Sequence, residues 1–259
     1  MAIEIQHPLP APGWEDKDLV DPHAAPDKAA RVRRMFSAIA GSYDWNNHLH
    51  SLWLDQRWRR AAVRMAGIQS TDIVADIACG TGDLSLAFDK AGPKKIIGID
   101  FCRPMLLQAL KKTRRRQPPN GRVSFHAGDA LRLPLADRSA DVVSIAFGIR
   151  NVADWRRAID EFHRVLRPGG RLIILEFSLP ESAALRGLYN FYFQRILPRT
   201  ATWLSGDKTG AYRYLPQSVH TFINRDQMME HLGRAGFAAV SVRSLTCGVC
   251  LCYQGVRHA

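Results

Sequence analysis

The 259-residue sequence predicts an α/β fold, a mostly parallel sheet of about seven strands with helices on both faces. Three observations predict it. Short aliphatic runs alternate with runs whose apolar residues recur every three or four positions, the pattern of strands joined by crossover helices. The first strand runs into a glycine-rich turn. No internal repeat, low-complexity block or long linker divides the chain, so one domain over residues 28–259 is the economical reading.

The elements follow in order. Residues 1–27 hold Pro8, Pro10, Pro12, Pro22 and Pro26 among acidic residues without a period of 2 or 3.6, and read as a loose N-terminal extension. Val32, Met35, Phe36 and Ile39 fall at helical spacing, and a second helical stretch carries Leu52, Trp53, Trp58, Val63 and Met65. Strands are expected over 73–77, 96–100, 123–126, 142–147 and 171–177, with helices over 84–90, 104–116 and 155–166 between them. Leu185, Leu188, Tyr189, Tyr192, Phe193 and Ile196 form a helical stripe, the pattern of a core helix that also suits a cover over a greasy ligand. A helix over 226–235 leads to strands over 240–243 and 249–253.

Composition narrows the function classes. An apolar fraction of 46% with 23% charged residues excludes a disordered chain, and no apolar run approaches bilayer-spanning length. Lys plus Arg number 36 against 24 Asp plus Glu, a net charge of +12. That excess favours an anionic partner, whether nucleic acid, an anionic membrane surface or an acidic ligand, and does not choose among them. Five cysteines, an odd number, with no basic-then-apolar leader, point to a reducing cytosol. Cys247, Cys250 and Cys252 lack the second pair of a zinc site and read as small strand residues packing inward. The basic run Lys111, Lys112, Arg114, Arg115 and Arg116 reads as a solvated helix end where cations suit the dipole.

The chemistry gathers at strand ends. In Ile73-Val-Ala-Asp-Ile-Ala-Cys-Gly-Thr-Gly-Asp83, Gly80 and Gly82 let a ligand approach the backbone closely. A dinucleotide loop would want a third glycine further on, and Asp83 at the helix start would repel pyrophosphate, so the loop suits a phosphate-free ligand. Asp100 ends the second strand, where a carboxylate accepts both hydroxyls of a ribose. Asp129, after the third strand, is placed to accept from an adenine amino group. No metal-ligand spacing appears.

These residues resemble the class I S-adenosylmethionine-dependent methyltransferases, whose Rossmann-like fold binds a nucleoside carrying a sulfonium. The resemblance narrows with Phe147-Gly-Ile-Arg-Asn151, the run from Arg164 to Ser178 and Tyr212-Arg-Tyr-Leu-Pro-Gln-Ser218, which are similar to the UbiE/COQ5 family of quinone-biosynthesis C-methyltransferases. It covers about Arg31 to Tyr253. It implies S-adenosyl-L-methionine contacts at Thr81, Asp100, Asp129 and Ala130, to which backbone geometry adds Gly80 and Gly82. It implies a substrate side at Arg150 and Asn151, with Arg150 as the cation that favours the phenolate of a reduced quinone. His126 and Asp129 are the candidate bases. The Arg164–Ser178 run itself reads as scaffold, a turn followed by a buried strand.

The sequence departs from the family in three places. Its Tyr-Asp-x-Met-Asn segment stands here as Tyr43-Asp-Trp-Asn-Asn47, a later histidine is Asp55, and a serine before Phe147 is Ala146, so one cofactor contact is expected to be lost. The expected reaction is methylation of a polyprenylated quinol, demethylmenaquinol first and a ubiquinone precursor second, in the cytoplasm at the inner face of the membrane. An RNA or DNA methyltransferase would account for the charge but offers no target-base motif here. A non-catalytic scaffold is the remaining rival, opposed by intact Thr81, Arg150 and Asn151.

Overall fold

The computed structural model describes residues 13–116, 121–207 and 209–258. Helices α1 (Lys28–Ile39), α2 (Tyr43–His50) and α3 (Leu54–Ala66) precede β1 (Ile73–Ile77), α4 (Asp83–Asp89), β2 (Lys95–Asp100), α5 (Arg103–Arg116), β3 (Val123–Ala127) and β4 (Ala140–Ala146). Then come α6 (Trp155–Val165), β5 (Leu166–Phe177), α7 (Ala183–Phe191), α8 (Leu197–Ser205), α9 (Ala211–His220), α10 (Arg225–Arg234), β6 (Phe237–Leu245) and β7 (Cys250–Arg257). A π-helical turn, Tyr192–Ile196, joins α7 to α8.

One seven-stranded sheet runs β3-β2-β1-β4-β5-β7-β6, parallel from β3 through β5, with β7 antiparallel to both β5 and β6. The order reverses between β1 and β4, so the carboxyl ends of these strands open a crevice there. Central strands are continuous apolar runs because both faces are covered. In β5, Leu172 and Ile174 pack on one face while Ile173 and Leu175 pack on the other. In β7, Cys250 and Cys252 fill one face and Leu251 and Tyr253 the opposite one. The inward reading of the cysteines thus holds for two of them, whereas Cys247 is exposed. The Pro168-Gly-Gly170 turn survives as an irregularity within β5. Gly169 has φ +75°, and the register against β4 shifts between Ala140 and Val142.

A third apolar cluster lies beyond the strand ends, where α1 meets the helices from α7 to α9. The expectation of a loose N-terminal extension needs correction here. Residues 1–12 lie outside the described residues, but Trp14 is 2% exposed and stacks on Tyr214 with ring centroids 4.4 Å apart. Its backbone N–H donates to the Thr209 carbonyl at 3.0 Å, and Arg31 pairs with both Asp18 and Asp27. Those proline-spaced residues form a packed strap because their partners come from α1 and α9, which local periodicity does not report.

Candidate active site

The crevice holds two adjoining cavities. The first is lined by the ends of β1, β2 and β4, by the turn after β3 and by α1. Among the described residues, Asp100 and Asp129 are its acidic ones and no Lys or Arg lines it. Asp100 is buried, and burial pushes its carboxyl up, opposed by backbone N–H donors. Its two oxygens accept from Gly80 N and Cys102 N, each at 2.8 Å. Gly80 has φ +55°, and a Cβ there would meet nothing within 4 Å, so its backbone borders open space. Asp129 is exposed and accepts from Leu131 N at 2.9 Å; Ala130 lines the same wall.

Gly82 differs from expectation. A Cβ there would stand 2.9 Å from Phe125 Cζ, so this glycine admits a packed ring and does not line the cavity. Thr81 borders a third, smaller cavity with Arg59, Asp76 and Asp83. Its hydroxyl donates to Asp44 at 2.5 Å. Lys112 joins that group, 2.6 Å from both Asp44 and Asp83 and 3.1 Å from Thr81 Oγ1. This corrects the reading of the basic run as a solvated face: Lys112 ties α2 to the glycine loop, while Lys111, Arg114 and Arg115 are exposed. The side chain of Arg116 lies outside the described residues. Burial raises the Asp83 carboxyl, but Arg59 and Lys112 outweigh it and hold the group below its usual range.

The second cavity is mostly apolar, bounded by α1, α2, α3, α7, the π turn and α9. Phe36, Tyr43 and Phe147 line both cavities and form their junction. Phe147 sits at φ +57°, a strained position for a bulky side chain, its ring tilted 34° against Phe177 with centroids 4.6 Å apart. Its carbonyl accepts from Arg150 Nη1 at 2.9 Å and Asn151 Nδ2 at 3.1 Å.

Arg150 and Asn151 are both buried, on a short 3-10 turn after β4. Arg150 pairs with Glu176 at 2.5 Å, donates to Ser218 Oγ at 3.3 Å and lies over the Phe177 ring. Asn151 Oδ1 accepts from the Tyr214 hydroxyl at 2.9 Å. Three sequence segments therefore meet in one polar network, and the Arg164–Ser178 run is more than scaffold because it delivers Glu176. A lone carboxylate inside Ile-Ile-Leu-Glu-Phe was the available signal, since buried charges require partners.

Other expectations fare differently. His126 is exposed, 3.1 Å from Ser124 Oγ, and lines neither cavity. Asp129 borders only the first. Asp55, found where the family resemblance expects a histidine, itself holds one: His48 Nδ1 lies 2.8 Å away, with Arg59 at 2.6 Å. Burial raises the Asp55 carboxyl, but His48 and Arg59 bring it down to about 2. His48, Asp55 and Asp83 stand close enough to hold an ion. Arg59 and Lys112 already neutralise those carboxylates, so the cluster reads as an ion-pair network.

A model of the ubiE/COQ5 methyltransferase family matches residues 25–257. The demethylmenaquinone methyltransferase of Thermus thermophilus is 44% identical over 224 residues, 86% of this chain and 100% of that protein. A Geobacter sp. protein named ubiquinone/menaquinone biosynthesis C-methyltransferase UbiE is 38% identical over 237 residues, 91% of this chain and 100% of its own. Among solved structures, a chain from the complex between the Haloferax volcanii Trm112 methyltransferase activator and the putative methyltransferase superposes with TM-score 0.62 at 18% identity. It covers 86% of this chain and 98% of that one, a likeness of fold alone. The matched span takes in the whole sheet, the described walls of both cavities and the Arg150–Glu176 network, so the chain belongs to the ubiE/COQ5 methyltransferase family.

Proposed function

We propose that the protein is an S-adenosyl-L-methionine-dependent C-methyltransferase that converts a polyprenylated demethylmenaquinol to menaquinol at the face of an anionic membrane. The observation that carries this reading is the pair of cavities meeting at Phe36, Tyr43 and Phe147. The first has acidic groups and, among the described residues, no cation, which suits a nucleoside with a sulfonium and not a dinucleotide. The second is a large apolar space, which suits a greasy ring. Asp100 is assigned to the ribose hydroxyls, Gly80 and Ala130 to the close walls, and Asp129 to the adenine amino group. The third cavity, with Arg59 and Asp83 on its border, matches the carboxylate and ammonium of an amino-acid end. Thr81 belongs to that end, and Gly82 supports the loop through packing.

S-Adenosyl-L-methionine supplies, when bound, an electrophilic methyl group. The protein's part is to hold the ring carbon in line with it, which makes the encounter effectively intramolecular, and to favour loss of a phenolic proton. Arg150 lines the second cavity and is assigned to the developing phenolate, its remaining charge set by Glu176. Asn151, held by Tyr214, fixes the Phe147 carbonyl and with it the junction. Relatives named for both menaquinone and ubiquinone pathways leave a monocyclic methoxybenzoquinol as the second substrate to compare.

The test is methyl transfer from radiolabelled S-adenosylmethionine to chemically reduced demethylmenaquinol bearing a short prenyl chain. Label in the ring methyl is expected, with weaker turnover of the methoxybenzoquinol. Label in neither quinol would refute the reading, and label only in the second would move it to ubiquinone.

A further inference from the structure

The proton that leaves the quinol needs an acceptor at the second cavity, and neither His126 nor the first-cavity residue Asp129 lines it. Among the groups that do, Asp55 is held to about 2 and is saturated by His48, Ser51 and Arg59, which makes it a poor base. Arg59 and Arg150 are cations. Burial raises the hydroxyls of Tyr43, Tyr189, Tyr192 and Tyr214, so they stay protonated at neutral pH.

His50, the last residue of α2, differs from all of these. The Tyr192 hydroxyl donates to the His50 carbonyl at 3.0 Å. A phenol has one proton, so the 3.3 Å contact between the same oxygen and His50 Nδ1 requires Nδ1 to be the donor. The other nitrogen, Nε2, is then an unprotonated lone pair. It is buried and has no hydrogen-bond partner among the described residues, although His50 lines an apolar cavity. Burial lowers the affinity of this imidazole for a proton, so it is neutral at pH 7. The Tyr189 hydroxyl, lining the same cavity, is likewise buried without a partner among the described residues. One orphan acceptor and one orphan hydroxyl match the two hydroxyls of a quinol. Tyr43 and His50 lie at opposite ends of α2, two turns and about 10 Å apart on one face, so a bicyclic ring lying along the helix reaches from the junction to Nε2.

We propose that His50 is the general base of the reaction, taking at Nε2 the phenolic proton of a quinol held in the second cavity, with the Tyr189 hydroxyl positioning the other oxygen. The role rests on the methyl-transfer function proposed for the two cavities. The proton passes from the phenolic oxygen to Nε2, and the electron pair so released is delocalised to the adjacent ring carbon. That carbon forms the new C–C bond while the methyl–sulfur bond breaks with its pair left on sulfur. The methylated carbon then loses its hydrogen to water as a proton, and the ring oxygen recovers one from the imidazolium. One proton is released overall, with no oxidant or reductant consumed.

Histidine-selective 15N NMR tests this without methyl donor or turnover, the His50 signals being assigned by their loss in His50→Gln. The expected spectrum has the proton on Nδ1 and an unprotonated Nε2 that shifts upfield on adding 1-naphthol. It should not shift with 1-methoxynaphthalene, which has no proton to give. A proton on Nε2, or equal responses to the two probes, would overturn the assignment. In the quinol assay, His50→Gln is expected to lose about 100-fold in kcat with KM little changed, within the range of general-base contributions. Turnover near the wild-type rate would also overturn it. If His50→Gln fails to fold, Tyr192→Phe serves: loss of the Nδ1 acceptor should appear as mixed tautomers, and an unchanged tautomer would refute the geometry. Absence of wild-type quinol methylation would refute the function, while the NMR response to the two naphthalenes would still decide the role of His50.

Discussion

Glu176 separates the structural pairing of Arg150 from the phenolate role proposed for it. Both are buried, and their charges compensate each other within the polar network shared with Ser218, Asn151 and Tyr214. Arg150→Ala strands Glu176 without a cation and is expected to cost about 3–5 kcal/mol of stability, which would confound any rate measurement. The double variant Arg150→Met with Glu176→Leu removes both charges and should melt within a few degrees of the wild type, because buried pairs replaced by apolar residues of similar size are often neutral. Its kcat is nevertheless expected to fall by about 100-fold, the scale of one lost donor to a developing anion. A refolded double variant with undiminished kcat would remove Arg150 from the phenolate. Asp100 belongs to the other cavity. Asp100→Asn turns one acceptor into a donor, and calorimetry with S-adenosylmethionine should show binding weakened by at least about tenfold, the loss of one charge-assisted hydrogen bond. Unchanged affinity would move the ribose elsewhere.

At the scale of elements, β1 carries a buried carboxylate that forms no ion pair within 4 Å among the described residues. Asp76 accepts from Ser85 Oγ at 2.5 Å and Ser144 Oγ at 2.9 Å, yet burial pushes its pKa from 3.8 to about 6. The folded state therefore binds more protons than the unfolded state between these two values, so this group's contribution to stability falls as pH rises through that window and stays low above it. Asp76→Asn should match the wild type near pH 4 and exceed it by ~1–3 kcal/mol at pH 8. Denaturant melts at both pH values decide this, and an equal offset at the two would reject the linkage. The strands around Asp76 were legible in sequence for a physical reason: with both faces covered, β1, β4 and β5 are unbroken apolar runs bounded by glycine or charge. Asp100 was legible because a carboxylate ending such a run has few structural uses. The strap at Trp14 was not, since its burial depends on Tyr214, 200 residues away in sequence. Nor was the second cavity, which is enclosed by separate amphipathic helices, each of ordinary pattern. Lys112 and Gly82 were misread because their spacing fits a common local role while their actual partners, Asp44 and Phe125, come from other elements.

For the whole molecule, the apolar cavity lies beneath an apolar exterior. Leu52, a lining residue of that cavity, is 77% exposed, and Trp53 beside it is half exposed. Leu188 and Phe191 on α7 and Trp203 on α8 are also exposed, Trp203 at 82%. Arg186, Arg195 and Arg199 lie exposed among them. No helix of the described residues is long and apolar enough to cross a membrane. The prenyl chain of the quinol proposed as substrate stays in the bilayer, so the protein is expected to come to it. These aromatic and leucine side chains are expected to enter the headgroup boundary, with the +12 net charge drawing the molecule to anionic lipid. Sedimentation with vesicles containing phosphatidylglycerol is expected to capture the protein at low salt and release most of it at ~0.5 M, where screening shortens the reach of each charge to a few ångströms. Replacing Leu188, Phe191 and Trp203 together with serine should weaken binding at both salt concentrations. Neutralising Lys111, Arg114 and Arg115 should weaken it only at low salt. The first set is expected to insert, whereas the second is expected to act at a distance. Binding that is indifferent to salt and to anionic lipid would refute the electrostatic part, and binding that survives the triple serine variant would place the entrance of the prenyl chain on another face.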